Sequence, residues 1–422
     1  MDRASAGASA QLLAGRGPGA RYSARVAVPI GSLPFFDHGT AEFAADPRGY
    51  LAAVRETSPI VRTPTGVGVL TYAACHEVIL DPAFRPGVFE LMRRATPDGQ
   101  AAPAPVPART LLGSEGRDHQ ELRRVVMPWF TPRRIDSLRE RTAALVAELL
   151  DAVEPTGNCE FMADVALRIP PTVFCWMVGC DVARGPELAH CSSIALQAFS
   201  GDPSVMDAVG AAIRELRHFA DDLIAEKRRS PGDDITSALL AAVDEGVLDE
   251  RDVRSLLTEL LSASVDNTTH SMGIAVWLLS EHPSEWSPVS IEATVEECSR
   301  YEPVIRHGNH VATRDVELLG VAVPAGTLVT VYLASAHRDP DAYEDPDRFD
   351  TARRPAQPQL VFGVGRHFCV GAALARMEIG EVVRAVTTRW RAPQVGPTAV
   401  VRLALTGEVD ALPLHFEVAA VS

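Results

Sequence analysis

Residues 362–371 read FGVGRHFCVG, and the placement of a single cysteine among them decides how the rest of the chain is read. Gly363, Gly365 and Gly371 permit backbone angles and close approaches that other residues forbid. Arg366 and His367 are donors suited to holding an anionic group on the same side. The stretch that follows, AALARMEIGEVVRAVTTRW, forms a helix by its composition and spacing. Cys369 therefore stands just before a helix start, where the dipole and free N–H groups favour a thiolate. A cysteine met at random is a buried, inert hydrophobe, and Cys75, Cys159, Cys175, Cys180, Cys191 and Cys298 take that reading. A nucleotide loop also uses Gly-x-Gly, but no strand pattern precedes Gly363 and the third glycine is misplaced.

The spacing Phe-x-x-Gly-x-x-x-Cys-x-Gly resembles the haem-binding signature of the cytochrome P450 superfamily, with Phe362, Gly365, Cys369 and Gly371 in register. That resemblance implies a mainly α fold, a large helical domain with small β-sheets and a long central helix over the haem. It makes haem b (iron protoporphyrin IX) the cofactor and Cys369 its proximal thiolate ligand. Phe362, Gly363 and Gly371 belong to the haem cradle, and His367 donates to a propionate. A thiolate axial ligand pushes electron density onto iron and favours O–O cleavage.

Further motifs follow in the family's order. VEECSRYEP contains Glu297 and Arg300, one turn apart on one helix face; a solvated surface pair is the ordinary reading. The resemblance turns them into a structural ion-pair network closed by a second arginine, for which DPDRFD offers Arg348. HQELR places His119 and Arg123 on one face, and bacterial relatives set this pair against the haem propionates. GNHVATRD carries His310 where relatives have a propionate-binding arginine; Arg306 and Arg314 are the nearby substitutes, and a histidine's charge depends on pH. ASAHRDP and PDAYEDPDRF follow the soluble bacterial branch, and the resemblance spans about residues 35–418.

The chain has 422 residues, 46% hydrophobic and 23% charged, with a net charge of -15. Such a charge argues against a general nucleic-acid binder. Seven cysteines without regular spacing suggest neither a disulfide scaffold nor a zinc half-site. No run of about 18 apolar residues appears, so no membrane span is expected. The first thirty residues read as a disordered tail, leaving 31–422 as a single haem-binding domain. Short helices are expected over 43–56 and 72–80, with a hairpin in IVRTPTGVGVLT between them. Residues 95–110 are Pro-rich and read as a functional loop. Helical periodicity dominates afterwards, and 249–281 form one candidate helix of roughly 50 Å at about 1.5 Å per residue.

That helix departs from the family at its centre, where relatives carry Ala-Gly-x-Asp/Glu-Thr. Here the register gives Ala263, Ser264, Val265, Asp266 and Asn267, with Thr268 one residue on. The family threonine passes on the proton that O–O cleavage needs. An Asn amide donates hydrogen bonds but cannot relay a proton through a rotating hydroxyl, and Thr268 lies about 100° round the helix. Three readings stand: water or a substrate hydroxyl supplies the proton; the enzyme performs coupling or ring closure; or Asp266 with ordered water suffices.

The expected activity is that of a cytoplasmic, monomeric haem-thiolate monooxygenase acting on a small or medium natural product, with O2 and no nucleic acid or membrane partner. No stretch resembles a flavin or nicotinamide domain, so electrons come from a ferredoxin and its reductase, docking on RRVVMPWFTPRR. Substrate selection is assigned to 85–112, 186–218, Val265, Asn267 and 304–306. A peroxide-driven peroxygenase and a non-catalytic haem sensor are the rivals.

Overall fold

Four helices frame the cysteine loop: α1 (Gly116–Val126), α2 (Glu250–Glu281), α3 (Ile291–Tyr301) and α4 (Ala372–Arg389). The computed structural model describes residues 27–95, 109–197, 203–354, 357–404 and 406–419. Its helices outweigh its small sheets, as the sequence pattern requires.

The 32-residue α2 begins at a reciprocal cap. Asp249 Oδ1 accepts the Asp252 N–H at 2.9 Å while the Asp252 carboxylate accepts the Asp249 N–H at 3.0 Å. Two otherwise orphaned donors are satisfied, which fixes where the helix starts. Leu256, Leu257, Leu261, Met272, Ile274 and Leu278 of α2 are almost fully buried in the largest core cluster. A fully buried leucine contributes about 2 kcal/mol over an exposed one, so α2 is held by packing along its whole length. Val265 is part of this core and does not line the cavity described below.

A five-stranded sheet lies to one side. With β1 (Val28–Pro29), β2 (Ile60–Arg62), β3 (Gly66–Val69), β4 (Phe84–Pro86), β5 (Gly308–Ala312), β6 (Val321–Val323) and β7 (Leu328–Val331) in chain order, its strand order is β2-β3-β7-β5-β4. Only β3 and β7 are parallel. A separate antiparallel hairpin, β8 (Val400–Leu403) and β9 (Gly407–Ala411), docks on α2. The docking is close because Gly273 has no side chain: a Cβ there would lie 2.5 Å from Met162 Sδ and 3.1 Å from Val409 Cβ.

Several expectations need correction. The tail does not extend to residue 30: β1 pairs in parallel with β6, and the Val28 N–H donates to Gly320 O at 2.9 Å. Residues 1–26 lie outside the described residues, as do 96–108 of the expected loop; its first residue, Ala95, ends the helix Val88–Ala95. The helix expected over 43–56 is two, Ala41–Ala45 and Pro47–Thr57, because Asp46 ends one and caps the next, with proline at its first position. The helix Tyr72–Leu80 has the expected bounds. The stretch Phe161–Val178 reaches a mean hydropathy of 1.3, but 67% of it is buried inside the fold.

Candidate active site

The Cys369 loop is closed by its own backbone. The Cys369 N–H donates to Phe362 O at 2.8 Å, and the turn runs through Gly363 and Gly365 at φ of 68° and 70°. Those angles strain any residue with a Cβ. Phe362 is held by the Arg376 guanidinium, 4.1 Å over its ring. Cys369 is the one exposed cysteine of the seven. It faces a cavity walled opposite by α2, with Phe362 and Gly371 also in the lining.

Although the residue opens onto the cavity, the protein packed around its sulfur desolvates the Cys369 thiol and pushes it up, against the pull of the Gly371 and Ala372 N–H groups and of Arg123 and Arg376. The helix start alone therefore does not yield the thiolate expected from the sequence. A coordinated metal cation reverses that balance, since it deprotonates the thiol outright.

Around the loop the protein gathers donors for an anion. The His119 and His367 rings lie 4.2 Å apart. Arg123 Nη1 donates to Phe368 O at 2.8 Å. His119 Nε2 and His310 Nδ1 are buried without partners. Burial first, then the charges of His367 and the neighbouring arginines, pushes both histidines down to about 4. An unpaired buried donor costs ~1–3 kcal/mol, so this cluster is built for a missing partner. Its taste for carboxylate is visible in Glu115, which contacts His367 Nε2 at 3.0 Å and accepts from Arg366 Nε at 3.1 Å. A porphyrin with its iron at Cys369 Sγ and its propionates at these donors fits the residues present. Arg306 is not a substitute for the missing arginine, because its guanidinium is committed to Glu302 at 2.5 Å. Arg314 is exposed and, among the described residues, donates to Asp315 O.

The ion-pair network forms with one member replaced. Arg300 binds Glu297 through Nε and Nη2 at 2.7 and 2.8 Å, both side chains almost fully buried. The second arginine is Arg353, whose Nε lies 3.1 Å from Glu297 Oε2. Arg348 points outward to Asp350 at 3.6 Å and is 66% exposed. Only its carbonyl joins the network, accepting from Arg300 at 3.2 Å and Arg353 at 2.9 Å.

On α2, Ala263, Ser264, Asn267, Thr268 and Ser271 line the cavity. Asn267 Nδ2 makes a long 3.4 Å bond to Ala263 O, and Ser271 Oγ donates to Asn267 O at 2.8 Å. Asp266 is not in the lining; it turns away toward His270, with Oδ1 3.8 Å from Nε2. Burial pushes Asp266 up, Glu408 reinforces this, and His270 opposes it. Of the segments assigned to substrate selection, Asn267, Val304 and Ile305 line the cavity. Phe130, Phe174 and Met177 also line it and were missed; buried aromatics in an amphipathic pattern signal core, not pocket.

The cytochrome P450 family profile matches residues 290–391, which include α3, the ion-pair network and the Cys369 loop. Luteothin monooxygenase of Streptomyces thioluteus is 33% identical over 396 residues, covering 91% of this chain and 96% of its own. This chain belongs to the cytochrome P450 superfamily. The 6-deoxyerythronolide B hydroxylase of Saccharopolyspora erythraea is a P450 relative 34% identical over 72% of this chain and 77% of its own. The crystal structure of CalO2 superposes on this P450 with a TM-score of 0.83 at 25% identity, covering 91% of this chain and 99% of that one. Family and named relatives make the chain a P450 monooxygenase of the bacterial type, a family whose cofactor is a haem thiolate.

Proposed function

We propose that this P450 oxidises a small or medium organic molecule, an intermediate of natural-product biosynthesis, using O2 and electrons from a ferredoxin and its reductase. The observation that carries the reading is one exposed thiol at the mouth of a large apolar cavity, ringed by buried donors without partners. Relatives named for macrolide and other secondary-metabolite oxidations support the substrate class. Function in the cytoplasm as a monomer fits this chemistry.

Cys369 would ligate the haem iron, and His119, Arg123, His310 and His367 would hold its propionates. The bound haem supplies oxygen activation; the protein supplies ligand, pocket and proton path. Gly371 and Ala372 direct N–H groups at the sulfur and limit its charge density. Phe130, Phe174 and Met177 exclude water from one wall. Asn267 and Thr268 present an amide and a hydroxyl to the cavity, while Asp266 stands behind them, turned toward His270. Glu297, Arg300 and Arg353 are structural.

The deciding experiment is the carbon-monoxide spectrum of purified, gently reduced protein. The thiolate band is expected, and Cys369→Ala should abolish it; a wild-type spectrum lacking that band overturns the reading. NADPH consumption with surrogate ferredoxin and reductase then separates an enzyme from a sensor, and turnover on hydrogen peroxide alone identifies a peroxygenase. Asn267 favours a second reading, oxidative coupling or ring closure, which absence of ¹⁸O from the product of ¹⁸O2 turnover would establish.

A further inference from the structure

Two cysteines meet where the helix Ile169–Val178 ends. Gly179, at φ of 79°, turns the chain back, and the Gly179 and Cys180 N–H groups both donate to Cys175 O, at 2.9 and 3.0 Å. A helix end closed in this way brings the side chains of its first and last residues, here Cys175 and Cys180, into contact. Cys175 belongs to the largest core cluster, and the half-buried Cys180 packs against it. The two thiols are hydrogen-bonded to each other. Standard bond lengths around the Cys180 N–H···O bond cap the Cα separation at about 7 Å, the limit that a disulfide can span. No other two cysteines of the chain are as close in sequence.

The surroundings hold this turn in place. A Cβ on Gly179 would lie 2.4 Å from Asp234 Oδ2, whose carboxylate is paired with the buried Lys227 at 3.0 Å. Thr236 Oγ1 donates to Val178 O at 2.8 Å. The sulfurs are therefore brought together by the fold itself, and a bond between them requires no rearrangement of the helix. Their hydrogen bond outweighs burial and pulls the Cys175 thiol down, whereas burial pushes the thiols of Cys75, Cys159 and Cys298 up. Two thiols that share a proton titrate as a unit, so the charge is also available at Cys180, the sulfur nearer to solvent.

We propose that Cys175 and Cys180 are a redox modification site, closing to a reversible disulfide that fixes the helix end whose Phe174, Met177 and Val178 line the cavity. The oxidant is hydrogen peroxide, which a monooxygenase releases when it reduces O2 without oxidising substrate; this source rests on the monooxygenase reading. Cys180 Sγ attacks one peroxide oxygen, the O–O bond breaks, and a sulfenic acid and hydroxide form. Cys175 Sγ then attacks the Cys180 sulfur, the S–O bond breaks and the S–S bond forms. Peroxide takes up two electrons, and the two thiol protons end in two waters. Small thiols reverse the bond by exchange.

The test is peptide mass spectrometry of the haem-loaded full-length protein, treated with hydrogen peroxide below the dose that bleaches the haem, then unfolded and alkylated. Trypsin releases residues 169–184 as one peptide that holds both cysteines and no other. That peptide should be two hydrogen masses lighter and unalkylated, and dithiothreitol before alkylation should restore both thiols. Cys180→Ser keeps the turn and removes one sulfur, so Cys175 should then remain open to alkylation at the same dose. Alkylation of both wild-type sulfurs after peroxide, oxidation only to sulfinic or sulfonic acid, or a Cys175 still protected in Cys180→Ser overturns the proposal. Added peroxide needs no turnover, so this arm decides the site by itself. With NADPH and surrogate ferredoxin and reductase the same disulfide should form, and catalase should suppress it; failure to reduce O2 at all sinks the monooxygenase reading instead.

Discussion

His119 and His367 meet ring to ring at 4.2 Å, one from α1 and the other from the Cys369 loop. Two imidazoles this close cannot both be charged without a counter-ion, and His119 is accordingly pushed down to about 4, by burial first and His367 second. His310, with its Nδ1 buried, is pushed down to about 4 for the same leading reason.

Haem uptake should therefore be linked to protons. An anionic propionate beside His119 or His310 favours the charged ring and raises its proton affinity. Binding then takes up protons in the window between about 4 and the higher value the propionate imposes, and haemin affinity should rise as pH falls from 7 to 5. Calorimetric haemin titrations of the apoprotein in buffers of different ionisation enthalpy measure that uptake. His119→Gln combined with His310→Gln should reduce it toward zero and weaken binding by about tenfold or more for the lost charge-assisted bonds.

Arg353 and Arg348 make a second, sharper comparison. Arg353 reaches the buried Glu297 carboxylate, whereas Arg348 is mostly exposed beside Asp350. Truncating a partner of a buried ion pair leaves charge uncompensated and costs about 3 kcal/mol. Arg353→Ala should lower the unfolding free energy read from urea curves by that amount, while Arg348→Ala should stay within about 0.5 kcal/mol of wild type. Equal effects from the two would place the network elsewhere.

The difference between those two arginines shows where sequence reading stops. Glu297, Arg300 and the Cys369 loop are legible because their spacing is local: one helical turn, or one closed turn with two positive-φ glycines. Which arginine then closes the network depends on a loop path that leaves no periodic trace, and Arg348 contributes its carbonyl while its side chain leaves. The helices Tyr72–Leu80 and Glu250–Glu281 are legible through their periodicity and caps. The β8–β9 hairpin is not, because β8 alternates only between exposed and half-buried positions. Glu115 carried no signal, since its contacts cross most of the chain.

Glu259 gives a pH dependence of opposite kind to the histidines. Its carboxylate accepts the Leu111 and Leu112 N–H groups at 2.7 and 2.8 Å, at the end of the segment leading into α1. Burial nonetheless outweighs both bonds and pushes it up to about 7 from 4.5. An acid raised in the folded state holds its proton while the unfolded chain releases it. The contribution is fully present below 4.5 and is lost as pH rises to about 7. Relative to Glu259→Gln, wild-type stability should fall across that window by on the order of 3 kcal/mol, read as the difference between their urea unfolding curves. A constant difference would mean that the carboxylate is not desolvated.

Under the proposed function, Asn267 is the residue expected to set the outcome of turnover. It reaches the cavity with an amide whose one bond among the described residues is the long one to Ala263 O, so it has donor and acceptor capacity left for oxygen or substrate. Losing one positioned donor in such a site costs about 2.7 kcal/mol or more at the transition state. Asn267→Ala should then cut product per NADPH by at least about tenfold and raise hydrogen peroxide release in proportion. Asn267→Thr separates the readings of the native chemistry. If the wild type inserts oxygen with water as its proton donor, the added hydroxyl should preserve or improve coupling with the same product. If the wild type couples or closes a ring, a relay hydroxyl should divert turnover toward an ¹⁸O-labelled hydroxylated product. Unchanged product, yield and peroxide in both variants would leave the proton path to Asp266 and ordered water alone.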